Sequence, residues 1–243
     1  MDLDRLREEV CEANLELVRR GLVIEAFGNA SGIDRERGLV VIKPSGIDYR
    51  KLTPKSLVVT DIDGRVVDGL LRPSSDLPTH LALYAAFPHI GGVVHTHSFH
   101  ATVWAQAGRE VPCLGTTHAD YFPGPIPITD SLAPEEIQDA YEVNTGAAIA
   151  RRLAQLDPDL FAAVLVRSHG PFCWGQSAGD AAHMAVIVEE LARMAYFTMA
   201  LSPEVSPIPD ALRDKHFFRK HGPTAYYGQP KTSVCLDDSL TQT

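Results

Sequence analysis

The sequence predicts an α/β fold, with a central, mostly antiparallel sheet and helices packed on its faces. Three observations predict it. Helical and strand-like runs are interleaved without a strict βαβ order. Asp63-Gly64 separates two β-rich runs, a strong hairpin signal. No internal repeat, low-complexity block or linker divides the 243 residues, so one domain is expected over residues 1–230, followed by a flexible tail at 231–243.

Taken in order, Leu3, Leu6, Val10, Leu17 and Val18 lie at helical spacing and Gly21 follows, which predicts an opening amphipathic helix over 3–20. Residues 23–27 and 39–44 are short apolar runs in a strand-and-turn region, and 57–62 and 65–68 flank the Asp-Gly turn. Pro73-Ser74-Ser75-Asp76 precedes a helix reaching Phe87, with Ser75 or Asp76 as its cap and Pro78 in its first turn. A buried strand follows at 90–96, then a short helix at 101–107. Residues 108–133 hold four prolines and predict an ordered loop. Residues 134–156 predict a helix, 161–168 a strand and 178–201 a long, largely apolar helix. The last forty residues are mixed and polar.

Apolar residues make up 45% and charged residues 22% of the chain, which suits a water-soluble globular domain. The formal net charge is −9 and no basic block stands out, arguing against a nucleic-acid partner. An anionic substrate would therefore need local donors, such as backbone N–H nests. No apolar run approaches a membrane span. The opening residues MDLDRLREEV lack a leader-like apolar core, and Cys11, Cys113, Cys173 and Cys235 form no CxxC pair, so a reducing, cytoplasmic setting with free thiols is expected.

The chemistry begins at Val93-Val94-His95-Thr96-His97. On a strand the two imidazoles share one face, where they can serve one divalent ion; an isolated HxH is also common as plain surface or core histidine. Val166-Arg167-Ser168-His169-Gly170-Pro171 brings another histidine to a strand end, beside a glycine that permits close approach. Three histidines leave positions open, as a catalytic ion requires. Asp76 is a candidate fourth ligand or a simple helix cap. His80, His100 and His118 are also available, and read better as supporting or structural residues. Gly28-Asn29-Ala30-Ser31-Gly32, Pro44-Ser45-Gly46 and Ser74-Ser75 are small polar loops of the kind that cradle phosphate, with Lys43 adding a charge. Such turns are also frequent without any ligand.

Together these segments resemble the class II aldolase and adducin-type family, and within it the enzymes that epimerise ketopentose phosphates at C4. The resemblance rests on Phe27-Gly28-Asn29-Ala30-Ser31, Ile42-Lys43-Pro44-Ser45-Gly46, Pro73-Ser74-Ser75-Asp76, His95-Thr96-His97-Ser98, Gly115 through Phe122, Ser168-His169-Gly170-Pro171-Phe172, and Lys220-His221-Gly222 through Tyr226-Tyr227-Gly228-Gln229. These run in the family's order almost to the end of the chain. The resemblance implies a three-layer α/β domain, a cyclic homotetramer and active sites between subunits. It implies Zn2+, or another divalent ion such as Mn2+, on His95, His97 and His169, with Asp76 among or beside the ligands. It implies phosphate held by Gly28, Asn29, Lys43, Ser45, Gly46, Ser74 and Ser75. It makes Asp120 and Tyr227, from the adjacent subunit, the acid and base, with His216 and Glu142 tuning the site. The expected activity is interconversion of L-ribulose 5-phosphate and D-xylulose 5-phosphate by cleavage and re-formation of C3–C4. Alternatives are an aldolase or dehydratase of another ketose phosphate, and a non-catalytic scaffold domain. Two positions depart from the pattern: Phe27 stands where Trp is more familiar, and Arg167 where a small residue or His is, with a possible effect on the field at the metal.

Overall fold

The computed structural model describes residues 2–157, 159–223 and 225–228; the tail at 231–243, Gln229 and Cys235 lie outside them. Seven strands form one antiparallel sheet in the order β4-β3-β2-β1-β5-β7-β6. They are β1 (Asn29–Asp34), β2 (Leu39–Ile42), β3 (Val58–Asp61), β4 (Val66–Asp68), β5 (Gly92–His95), β6 (Ala163–Leu165) and β7 (Pro171–Gly175). The helices are α1 (Leu3–Arg19), α2 (Leu77–Ala86), α3 (Phe99–Ala107), α4 (Thr116–Ala119), α5 (Pro134–Leu153), α6 (Ala178–Leu201) and α7 (Asp210–Lys220). The expected α/β class and antiparallel sheet are what is found. No helix among the described residues is long and apolar enough to cross a membrane.

The two faces of β1 show how the layers assemble. Side chains alternate along a strand. Gly32 faces α1, where an added Cβ would lie 2.9 Å from both Leu6 and Val10. Asn29 and Ser31 face α2 and bond to Ser74, Asp76, His80 and Tyr84. Helices α1 and α6 therefore cover one face, and α2 with α5 the other. At Gly92 a Cβ would meet the Ser177 carbonyl oxygen at 2.3 Å, so glycine alone lets the start of α6 rest on β5.

β1 is a correction to the sequence reading, which placed a strand-like run at 23–27 and loops at 28–32. The strand is Asn29–Asp34 and all six residues are buried. Its small polar composition suits the sheet because neighbours on both edges and both faces supply the contacts. It pairs with β2 from Ser31 to Asp34 and with β5 from Asn29 to Gly32. Past Ser31, β2 has ended, and the Asn14 side chain takes its place. It accepts from Ala30 N–H at 2.9 Å and donates to Ala30 C=O at 3.1 Å. This gap between β1 and the end of β2 is where the pocket opens.

Other differences are local. The strand expected at 161–168 shortens to β6, and 166–170 form a tight turn into β7, which the sequence reading missed. Ser168 takes a left-handed φ of 62° there. The loop at 108–133 contains α4, and the polar C-terminal region contains α7, whose Phe217 is buried. The single helix expected at 134–156 is broken at Ala140 (φ −169°, ψ 60°). Asp76 and Ser75 do not cap α2: Asp76 makes no capping bond, and it is the Ser74 hydroxyl that accepts from Asp76 N–H, at 3.3 Å.

Candidate metal and sugar-phosphate site

The end of β5 and the β6–β7 turn deliver three histidines to one point. His95 is the last residue of β5, His97 lies two residues beyond it, and His169 sits in the β6–β7 turn. Their candidate ligand nitrogens lie within 4.8 Å of one another, and they are the cluster of this kind found among the described residues. His95 Nδ1–H donates to the Pro171 carbonyl at 3.0 Å. A carbonyl only accepts, so His95 Nε2 is left bare. It stands 3.1 Å from His97 Nε2. Two imidazole nitrogens on one tetrahedral ion stand roughly 3.3 Å apart, so this spacing fits a shared metal.

Burial keeps the rings neutral, as ligation requires. It pushes His95 well below the ordinary histidine value, helped by His169 and His97. His97 and His169 are lowered by burial too, while the Asp76 charge opposes the shift at both. Phe172 stacks on His95 at 4.2 Å and Phe27 on His97 at 5.8 Å, so Phe27 serves as an aromatic wall. Gly170 is required by contact: a Cβ there would lie 2.6 Å from the Thr96 carbonyl. Arg167 does not reach the cluster. Its guanidinium packs on Gly108 and donates to that residue's carbonyl at 3.4 Å, so the expected effect on the metal field is not seen.

The histidines open onto a pocket of about 390 Å³. Gly28, Asn29, Lys43, Ser45, Gly46, Ser74, Ser75 and Asp76 all line it. The cradle is more committed than the sequence suggests. Ser45 N–H donates to Arg72 C=O and Ser74 N–H to Lys43 C=O, each at 3.0 Å, so those amides hold the two loops together. The hydroxyls of Ser45 and Ser75 remain as donors, with Lys43. The Lys43 ammonium donates to Ala26 C=O at 3.2 Å and lies 4.6 Å from the Tyr49 ring; burial lowers its pKa to about 8, against the pull of Asp76. An anion arriving beside it would favour its charged form. Gly28 combines a φ of +89° with a Cβ position 3.1 Å from His95 C=O, so glycine is needed there twice over.

Asp76 borders the pocket outside the nitrogen cluster, with its Oδ2 accepting from Asn29 Nδ2 at 2.6 Å. Its helix carries Asp76, His80 and Tyr84 at i, i+4 and i+8, one stripe facing β1. Ser31 Oγ bonds to both His80 Nδ1 at 2.7 Å and Tyr84 Oη at 2.8 Å. This buried stripe seats α2, and so Asp76, and its spacing is a sequence signal that was overlooked. Tyr141 was also missed. It and Glu142, which follow the break in α5, line the pocket. His100 bonds to Glu189 at 2.8 Å and His118 to Gly124 C=O at 2.9 Å; both are structural.

Asp120 and Tyr227 do not line this pocket; elsewhere they share two cations, Arg219 and Lys220. Asp120 ends α4 and receives Arg219 at 3.0 and 2.8 Å, His216 Nδ1 at 3.0 Å and Lys220 at 3.2 Å. Burial works to raise its pKa, but the hydrogen bonds from Arg219, His216 and Lys220 outweigh it and hold the carboxyl below the usual range. The same Arg219 and Lys220 lie 4.8 and 4.5 Å from the Tyr227 ring. The chain thus carries two separate clusters: a histidine pocket and a caged carboxylate with an exposed tyrosine.

Comparison with known proteins decides the lineage. The model of the Class II Aldolase and Adducin N-terminal domain matches residues 8–196. The chain belongs to that family. Proteins named L-ribulose-5-phosphate 4-epimerase UlaF, from Salmonella paratyphi B (strain ATCC BAA-1250 / SPB7) and Salmonella typhi, are each 56% identical to it over 227 residues, covering 93% of this chain and all of theirs. Among solved structures, an L-fuculose 1-phosphate aldolase superposes with a TM-score of 0.75 at 26% identity, covering 88% of this chain and 95% of that one. YgbL from Klebsiella pneumoniae, described as a putative aldolase/epimerase/decarboxylase, gives 0.71 at 26% identity, covering 88% and 99%. The family depends on divalent metals, and the three-histidine cluster provides a site for one.

Proposed function

We propose that this chain is an L-ribulose-5-phosphate 4-epimerase, interconverting L-ribulose 5-phosphate and D-xylulose 5-phosphate. The observation that carries the reading is a three-histidine cluster opening onto a pocket roomy enough for a sugar phosphate and lined by Lys43, Ser45, Ser74 and Ser75, in a chain 56% identical over nearly its whole length to enzymes of that name.

The chemistry needs this equipment. C4 of a 2-ketopentose phosphate is not adjacent to the carbonyl, so its hydrogen is not acidic. Breaking C3–C4 solves the problem. A base takes the C4 hydroxyl proton, the bond opens to an enediolate and glycolaldehyde phosphate, the aldehyde presents its other face, and the bond re-forms with protonation of the new alkoxide. His95, His97 and His169 hold the ion, with Asp76 among or beside the ligands. Zn2+ suits an imidazole set, with Mn2+ as the alternative. When bound, the ion supplies Lewis acidity toward oxygens carrying negative charge. Lys43, Ser45, Ser75 and the Gly28 and Gly46 turns bind the phosphate, with Asn29 and Ser74 behind them. Asp120, kept ionised by its cations, acts as the base, and the Tyr227 hydroxyl supplies the proton.

Asp120 and Tyr227 reach the histidine pocket of a neighbouring copy, so the working unit is a homotetramer with sites between subunits. Each subunit is one catalytic domain over 1–230, acting in the cytoplasm, where its buried thiols stay reduced.

The test is direct. Incubation with L-ribulose 5-phosphate, followed by NMR, should build D-xylulose 5-phosphate to equilibrium. The fold shared with L-fuculose 1-phosphate aldolase favours aldolase activity as the second reading, and release of dihydroxyacetone and glycolaldehyde phosphate with no epimer would establish it instead.

A further inference from the structure

The three histidines are held by three different devices. His95 has a backbone carbonyl, His97 an aromatic stack, and His169 a phenol: Tyr141 Oη lies 3.2 Å from His169 Nδ1. We infer that Tyr141 is a positioning residue for the metal site, fixing His169 with Nδ1 protonated and Nε2 turned to the ion. This rests on the reading of the three histidines as one metal site.

The argument begins with the backbone. α5 is broken at Ala140, immediately before Tyr141 and Glu142. No proline or glycine stands at the break, and side chains hold it by taking carbonyls around it. Thr79 Oγ1 donates to Glu142 C=O at 2.6 Å, Asn144 Nδ2 to Glu136 C=O at 2.8 Å, and Thr145 Oγ1 to Tyr141 C=O at 2.8 Å. The break is thus a supported feature of the fold, and it places Tyr141 on the pocket wall, partly buried.

Hydrogen-bond logic then assigns the roles. The nitrogen that an imidazole offers a metal is set by the bond its other nitrogen makes. With Nδ1 against Tyr141, Nε2 is the nitrogen left to join His95 and His97. Nδ1 then carries the proton, and the Tyr141 oxygen accepts it. A phenol that accepts still has its own O–H to give. Tyr141 lines the pocket, so that donor is left for an oxygen of the substrate, and Tyr141 would link it to a metal ligand. Outer partners of this kind commonly contribute 10–100-fold to metal affinity.

Tyr141→Phe removes the oxygen and keeps the ring at a partly buried position on the pocket wall, so folding should be unaffected. The measurement is zinc affinity by competition with a chelator, without substrate, alongside circular dichroism. A dissociation constant raised about tenfold with an unchanged fold supports the inference. Nitrogen-15 NMR of the zinc-loaded wild type should show His169 with a protonated Nδ1 and a metal-bound Nε2. Zinc affinity within twofold of wild type, or ligation through Nδ1, would overturn it. A wild type that takes up no zinc brings down this inference and the metal reading together. Zinc uptake with a tenfold loss in the variant upholds it even where L-ribulose 5-phosphate is not turned over, a result that sinks only the epimerase reading.

Discussion

The histidine pocket and the Asp120 cage solve opposite electrostatic problems. The pocket keeps three basic groups uncharged by burying them at converging strand ends. The cage keeps an acidic group charged by surrounding it with Arg219, Lys220 and His216 while burying most of the carboxylate. The first is built by the sheet and is complete within one chain. The second joins α4 to α7, about a hundred residues apart, and ends at Tyr227, which is 61% exposed. One region offers three uncharged nitrogens at a single point, and the other ends at an exposed ring.

Variants that separate these two duties would break or sharpen the comparison. The largest effect is expected for His97→Asn. Elemental analysis should find the ion gone and turnover should fall at least about 10³-fold, since the ligand set is reduced to two. An ion at full occupancy would mean that His97 is not a ligand. Asp120→Asn should lower turnover about 10²–10⁴-fold while metal content stays full. Loss of metal in that variant would erase the distinction between the regions. Gly170→Ala should act on the first region through packing: with Thr96 C=O at 2.6 Å from the new Cβ, a destabilisation of about 1–3 kcal/mol is expected in urea titrations.

A smaller effect concerns acid stability. Burial lowers His80 to about 3 and His118 to about 4, with Asp76 and the Gly124 carbonyl pulling the other way. Between those values and the unfolded value near 6.5 the unfolded chain binds more protons, so stability falls as pH drops through that window. Between pH 7 and pH 5 the loss should be on the order of 2 kcal/mol for each ring, in metal-free protein. His118→Gln should flatten the slope in equilibrium unfolding; an unchanged slope would assign it to other groups.

Legibility in the sequence divides along the same line. His95, His97 and His169 follow apolar strand patterns, so their convergence could be anticipated, although the turn that carries His169 could not. Lys43, Ser45, Ser74 and Ser75 were visible as small polar turns. β1 was not, because Asn-Ala-Ser-Gly-Ile-Asp has a loop's composition and becomes a strand only through neighbours on every side. α7 was hidden by its charge: His216, Arg219 and Lys220 read as a solvated face until they are seen around Asp120. Tyr141 gave no local signal, since a tyrosine in a helical run looks ordinary and the break beside it depends on Thr79, in another helix. The Asp76, His80 and Tyr84 spacing was present and could have been used.

The composition of β1 has a consequence for how the molecule opens. Its hydrogen bonds exist only when β2, β5 and Asn14 are all in place, and its Gly32 position is sealed by Leu6 and Val10. No small fluctuation frees it. The Ser31–Ile33 amides should therefore be among the slowest to exchange with deuterated water, while the exposed edge strand β4 exchanges early. Exchange at the middle of the sheet would then report loss of the whole fold, and with it the pocket.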